Sequence, residues 1–279
     1  SYWGLNRWYN QLLACLLAIA LLGFLFFFSN NLSTVIVLFC ICAVIILSSV
    51  KKPDLYLYFL IGLALIIIAA IFVTVYLLMH QGAENFRFVR IRAWLHPEEY
   101  AADEGLQAMQ ARYAIGAGGF WGKGLGQSLI KFKLSYSYND FILAIICEEL
   151  GVFGVIVMMT LFGYLLYRIY KIAQNAWDIE GKVLAIGVFT QIALQLLINV
   201  MVVTSVIPTT GVTLPFFSAG GTSVVFLLAE LGMVLNVDKY AKERRFFEEA
   251  ERHVAQMEQR GGIGAAGWRR RLDSARTRR

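Results

Sequence analysis

Three carboxylates stand in a stretch where carboxylates are costly. Asp140 opens the run Asn139-Asp-Phe-Ile-Leu-Ala-Ile-Ile-Cys-Glu148-Glu149-Leu-Gly151, and Glu148 and Glu149 follow inside its apolar part. On a helix, Glu148 lies roughly 12 Å below Asp140 and roughly 80° round the axis, with Glu149 roughly opposite Asp140. Charges at that depth in an apolar element face a cavity or a partner. One of the two glutamates is therefore expected to face a cavity and the other to make an interhelical hydrogen bond. Asn139 or Asp140 also suits a helix N-cap. A second polar set, Gln191, Gln195 and Asn199, recurs at i, i+4 and i+8 and forms one stripe on a helix. It can serve interhelical hydrogen bonds or a site.

Other residues could meet an anion. Arg87, Arg90 and Arg92 precede Trp94 and Pro97, an arginine and aromatic surface suited to a headgroup zone. The run Gly116-Ala-Gly-Gly-Phe-Trp-Gly-Lys-Gly-Leu-Gly126 invites a phosphate-loop reading and fails it. Gly124 stands where a Walker loop needs Ser or Thr after the Lys, and Ala117 stands where its first Gly belongs. The run reads instead as a loop or re-entrant segment whose glycines allow close backbone approach, or as a substrate contact. Pro208-Thr-Thr-Gly211 and Pro215, followed by Gly220-Gly221, predict a broken helix start. Free N–H groups at such a start favour an anion, and a kinked packing corner is the plainer reading. Ser128-Leu-Ile-Lys131 matches an SxxK spacing without companion SDN or KTG signatures, so Ser128 is read as structural.

The elements that must position these residues are membrane helices. Of 279 residues, 58% are hydrophobic and only 16% are charged, which excludes an ordinary soluble domain and a disordered chain. Spans of about 20 apolar residues are predicted near 11–28, 32–50, 55–79, 141–167, 183–207 and 211–236. The fold expected is all-α: a polytopic transmembrane helical bundle with six spans and a large external loop, 80–140. The membrane domain covers 1–236 and a basic tail covers 237–279. Lysine and arginine orient it. Eighteen fall at the start, in the short loops and in the tail, against seven in the 80–140 loop, so tail and short loops read as cytoplasmic. The net charge of +6 sits mostly in the tail and fits attraction to anionic membrane lipids better than nucleic acid. Residues 238–260 are expected to form an amphipathic helix that ends at Gly261 and Gly262, with a disordered end beyond. Cys15, Cys40, Cys42 and Cys147 fall in apolar helices without CxxC spacing and read as inert thiols.

In order along residues 29–240 stand Asn31-Leu-Ser-Thr34, Arg90-Ile-Arg-Ala-Trp-Leu-His-Pro97, Gly105-Leu-Gln107, Ala114-Ile-Gly-Ala-Gly-Gly119, Gly122-Lys-Gly-Leu-Gly126, Asp140-Phe-Ile-Leu-Ala144 with Glu148-Glu-Leu-Gly151, and Leu214-Pro-Phe-Phe-Ser-Ala-Gly-Gly-Thr-Ser223. Together they resemble the SEDS family (shape, elongation, division and sporulation), of the FtsW and RodA type. The stretch resembles the C-terminal six of that family's ten spans. One segment departs from the pattern: Leu134-Ser-Tyr-Ser-Tyr-Asn-Asp140 lacks the family's Pro-Glu and has Asn139 in place of Thr. The aspartate the family needs falls on Asp140.

The resemblance implies a peptidoglycan glycosyltransferase that polymerises lipid II at the outer face of the bacterial cytoplasmic membrane, in division, elongation or sporulation. A sugar hydroxyl attacks an anomeric carbon and a lipid diphosphate leaves. The hydroxyl needs a base or a metal, and the diphosphate needs positive charge. Asp140 is the candidate base, or the ligand of a divalent cation, Mg²⁺ or Mn²⁺. Substrate binding is assigned to Arg90, Arg92, Gln107, Lys123, Lys131, Glu148, Asn199 and Ser218. The implied partner is a single-span class B penicillin-binding protein with transpeptidase activity. Two other readings compete: a flippase for a lipid-linked precursor, suited to intramembrane Glu148 and Asn199 beside a broken helix, and a non-catalytic scaffold for a cell-wall synthase.

Overall fold

The computed structural model describes residues 32–49, 93–96, 99, 104–128, 140–218, 220–259 and 265–277. Most of these residues are helical, and none is in a strand. The longer helices are α1 (Leu32–Ser49), α2 (Glu104–Gly118), α3 (Ile142–Gln174), α4 (Ile179–Val203), α5 (Gly221–Gln259) and α6 (Ala265–Thr277). Three of them, α3, α4 and α5, are long and apolar enough to cross a membrane. The spans expected near 11–28 and 55–79 lie outside the described residues.

The helices close on one apolar core. Phe141, Leu143 and Ala144 of the α3 start, Met158, Phe162 and Ile169 further along it, and Ala185, Val188, Ile192 and Leu196 of α4 are all buried there. Small residues set the approach of α2: Ala111 and Ala114 are fully buried, and a Cβ on Gly118 would run into the Cys147 carbonyl. Helix α1 packs on α4, where Ile45 lies over Gly187, 3.2 Å from where a Cβ would stand. The outer faces of α3 and α5 stay apolar and exposed, with Phe153, Ile156 and Leu161 on one and Val225, Phe226 and Leu228 on the other. Such faces are those a lipid environment covers.

Several expected boundaries move. The helix expected as the sixth span begins at Gly221, not 211, because residues 204–218 run as turns and irregular chain carrying Pro208, Pro215 and Phe216 at a φ of 65°. It then continues unbroken to Gln259, so the composition change near 237 and the expected helix 238–260 are parts of one helix. Backbone hydrogen bonding is indifferent to the shift from apolar to charged side chains. The end expected to be disordered holds α6, tied to α5 by an Arg269–Glu258 ion pair of 3.1 Å. The 80–140 region is likewise not only loop, since it contains α2.

Candidate active site

Asp140 does not hold the N-cap position of the helix it precedes. Phe141 does, and its side chain makes no cap hydrogen bond. Asp140 is held through its backbone. Asn199, fully buried on α4, donates from Nδ2 to the Asp140 carbonyl at 2.8 Å and to the Val212 carbonyl at 2.9 Å. Two carbonyl partners require the amide nitrogen on that side, which assigns the orientation of the Asn199 amide. The polar stripe on α4 therefore does interhelical work at this position. Two turns further down, Gln191 Nε2 donates to both oxygens of Glu230 on α5 at 3.1 Å.

The connection from α4 to α5 crosses directly beside Asp140. A Cβ on Gly211, which has a φ of 71°, would stand 3.6 Å from Asp140 Oδ2. This connection holds two non-glycine residues in the left-handed region, Ser205 at 59° and Phe216 at 65°, a conformation that costs of order 1–3 kcal/mol each. Both are pinned from outside. Trp94 Nε1 donates to the Ser205 carbonyl at 2.8 Å, and Arg112 Nε donates to Ser205 Oγ at 2.9 Å. Phe216 and Phe217 pack on Phe162. Strain held by surrounding contacts is common where a site must be rigid.

A cavity of about 270 Å³ opens beneath this connection, lined by Gln191, Gln195, Thr213, Ser218, Gly220 and Ser223 among others. Gln195 and Asn199 are one helical turn apart, about 6 Å of rise. The cavity thus lies next along α4 from the Asp140 anchor. Its floor is the first turn of α5.

Glu148 and Lys123 form a separate cluster. Glu148 is fully buried. Lys123 Nζ lies 2.7 Å from its Oε1, and Ser128 Oγ donates to its Oε2 at 2.5 Å. The structural reading of Ser128 and the packing reading of the glycine-rich run both match this arrangement. The predicted residues therefore divide into Asp140 with Asn199, Lys123 with Glu148, and Ser218 in the cavity. Gln107 is half-buried on α2. Arg90, Arg92 and Lys131 lie outside the described residues. Sequence reasoning missed Ser205, Thr210 and Gly211 as individual residues, although the Pro208–Gly211 run marked their segment.

Among the described residues, two side-chain oxygens of the α4 end and the connection after it lack partners. Asn199 Oδ1 and Thr210 Oγ1 are buried without a hydrogen-bond partner among the described residues. Unsatisfied buried oxygens of this kind are costly to an apolar interior. One carboxylate with neutral oxygens suits Mg²⁺ or Mn²⁺ shared with water and substrate phosphates rather than a closed protein cage.

Long apolar helices, a polar stripe buried at Asn199 and a strained connection beside a cavity define a helical membrane protein with an internal polar site. Residues 4–243 match the sequence profile of the "Cell cycle protein" family FtsW/RodA/SpoVE, and the chain belongs to that family. It is 45% identical over 158 residues to stage V sporulation protein E of Bacillus subtilis (strain 168), covering 56% of this chain and 43% of that protein. It is 40% identical over 182 residues to the probable peptidoglycan glycosyltransferase FtsW of the same organism, covering 65% and 44%. The chain spans less than half the length of these curated relatives. Among solved structures, a chain described under "Structural coordination of polymerization and crosslinking by a peptidoglycan synthase complex" matches with a TM-score of 0.64 at 25% identity, covering 84% of this chain and 63% of that one. The rod shape determining protein RodA of Thermus thermophilus shares the fold, with a TM-score of 0.53 at 23% identity over 84% and 57%.

Proposed function

We propose that this protein is a peptidoglycan glycosyltransferase that polymerises lipid II at the outer face of the cytoplasmic membrane. The observation that carries the reading is Asp140 anchored by Asn199 against a strained connection, next to a polar cavity. The name of the Bacillus subtilis FtsW relative supports the reaction class.

In the proposed reaction the 4-hydroxyl of one sugar attacks the anomeric carbon of another. The new C–O bond forms as the bond from that carbon to the diphosphate oxygen breaks, and the diphosphate leaves with the electron pair. Asp140 accepts the hydroxyl proton, a role worth typically 10²–10⁴-fold in rate. Asn199 acts on Asp140 by fixing its backbone. Arg90, Arg92 and Lys131 are the cationic side chains for the departing diphosphate, assisted by the first turn of α5 at the cavity. Gln107, Gln195 and Ser218 are hydrogen-bonding groups for the sugars. A divalent cation, when bound, would neutralise diphosphate charge, with Asp140, Thr210 and Asn199 as its protein oxygens.

The same reading holds six spans in this chain, an external 80–140 region and a cytoplasmic tail, as the lysine and arginine distribution favours. A class B penicillin-binding protein would supply cross-linking. Incubation of the full-length protein with lipid II in detergent and in vesicles tests the function. Glycan polymer is the expected product. Translocation of lipid II without polymer would establish a flippase instead, and neither activity would leave a scaffold.

A further inference from the structure

Helix α3 is interrupted at Gly151, where φ is 69° and ψ is −173°, a backbone conformation that is essentially restricted to glycine. The interruption separates a short half, residues 142–150, from the long remainder. A broken membrane helix frees carbonyls and amides that protein must satisfy. The glycine-rich segment after α2 supplies them. The amides of Lys123 and Gly124 donate to the carbonyls of Glu148 and Glu149 at 2.9 Å. The amides of Val152 and Phe153 donate to the carbonyls of Gly119 and Phe120 at 3.0 and 3.1 Å. Gly122 and Gly151 meet backbone to backbone, with no room for a Cβ on either.

The side chains of Glu148, Lys123 and Ser128 close the same joint. A buried ion pair adds little net stability, because desolvation offsets the attraction. Its effect here is on geometry. Both carboxylate oxygens of Glu148 engage the 118–128 segment, and the short half-helix that carries them begins next to Asp140.

We propose that Lys123 and Glu148 are a positioning pair that locks the 118–128 segment into the break of α3 and thereby sets the angle of the 142–150 half-helix and the place of Asp140. This inference rests on the polymerase reading above and assigns Lys123 and Glu148 to positioning instead of substrate contact. Asp140 lies about 16 Å of helix rise from Gly151, so a pivot of about 5° would move it by about 1.4 Å. Displacement of about 1 Å can cost on the order of 100-fold in rate.

The test measures kcat and KM for lipid II in the full-length protein carrying K123Q, E148Q, both together, or K123R. Each glutamine variant is expected to lower kcat about 10- to 100-fold with KM changed less than about threefold. The double variant should match the worse single, because the pair acts as one unit, and K123R should recover most of the activity. Losses that multiply in the double variant, or a raised KM at unchanged kcat in K123Q, would overturn the proposal. Amide hydrogen exchange at Lys123, Gly124, Val152 and Phe153 reads the latch without catalysis. Faster exchange is expected in E148Q, or in K123Q at the less buried site if E148Q does not accumulate, and unchanged protection would overturn the latch. A wild-type protein that makes no polymer but shows this exchange pattern would defeat the polymerase reading and leave the latch standing.

Discussion

Replacing Gly151 with alanine should destabilise the fold more than any other glycine-to-alanine change in α3. Two terms set the size. The φ and ψ of Gly151 would place alanine in a region costing of order 1–3 kcal/mol. Its Cβ would also strike the Gly122 amide and the Phe120 carbonyl, both backbone and unable to turn aside. Forced overpacking of that kind costs typically 1–3 kcal/mol more. The expected loss is about 2–6 kcal/mol, out of the roughly 5–15 kcal/mol that holds a typical protein folded. At about 2–4 °C per kcal/mol, the melting temperature should fall by about 4–24 °C. The assay is thermal unfolding in detergent, followed by reaction of a thiol dye with buried Cys147 and with the other cysteines. Gly116→Ala is the paired control, since Gly116 is helical with nothing within 4 Å of a new Cβ. It should gain roughly 0.5–1 kcal/mol. A Gly151→Ala protein melting within about 2 °C of wild type would refute the latched-break account.

Three further outcomes are expected. Asn199→Leu removes the donor shared by the Asp140 and Val212 carbonyls and should cost about 1–3 kcal/mol of stability, with polymerisation falling on the order of 100-fold as Asp140 loses its anchor; thermal melts and lipid II turnover check both. Gln191→Leu breaks the α4–α5 hydrogen bond to Glu230 and should cost about 0.6–1.7 kcal/mol, read by the same melt. Truncation after Arg260 removes α6, whose described link to α5 includes one exposed ion pair, and should shift stability by less than about 1 kcal/mol while polymer yield stays near wild type.

Much of this arrangement is readable from residue type and period, and the rest is not for definable reasons. The stripe Gln191, Gln195, Asn199 follows from helical period alone; Gln191 makes an interhelical hydrogen bond and Asn199 ties α4 to the chain before α3 and after α4. The glycine density of 116–126 announces close approach, but not what is approached. Its partner is the break at Gly151, and no local pattern encodes a pairing between segments so far apart in sequence. For the same reason Lys123 and Glu148 are each conspicuous while their ion pair is hidden. Asp140 as a cap fails by one residue: Phe141 occupies the cap position, and helix starts are seldom fixed by sequence to that precision. The start of α5 is obscured because residues 211–220 are apolar enough to count toward a span. Pro215 and the left-handed Phe216 hold residues 211–218 out of the helix.

Lipid II polymerisation by the full-length Asp140→Asn protein, beside wild type in the same membranes, tests the central claim most directly. Asparagine preserves the size of the side chain and leaves untouched the Asp140 carbonyl that Asn199 holds, but it cannot accept the proton. Polymer should fall by at least about 100-fold while the melting temperature stays within a few degrees of wild type, as removal of a positioned base predicts. Wild-type polymer yield from the asparagine variant would contradict the assignment of Asp140 as the base.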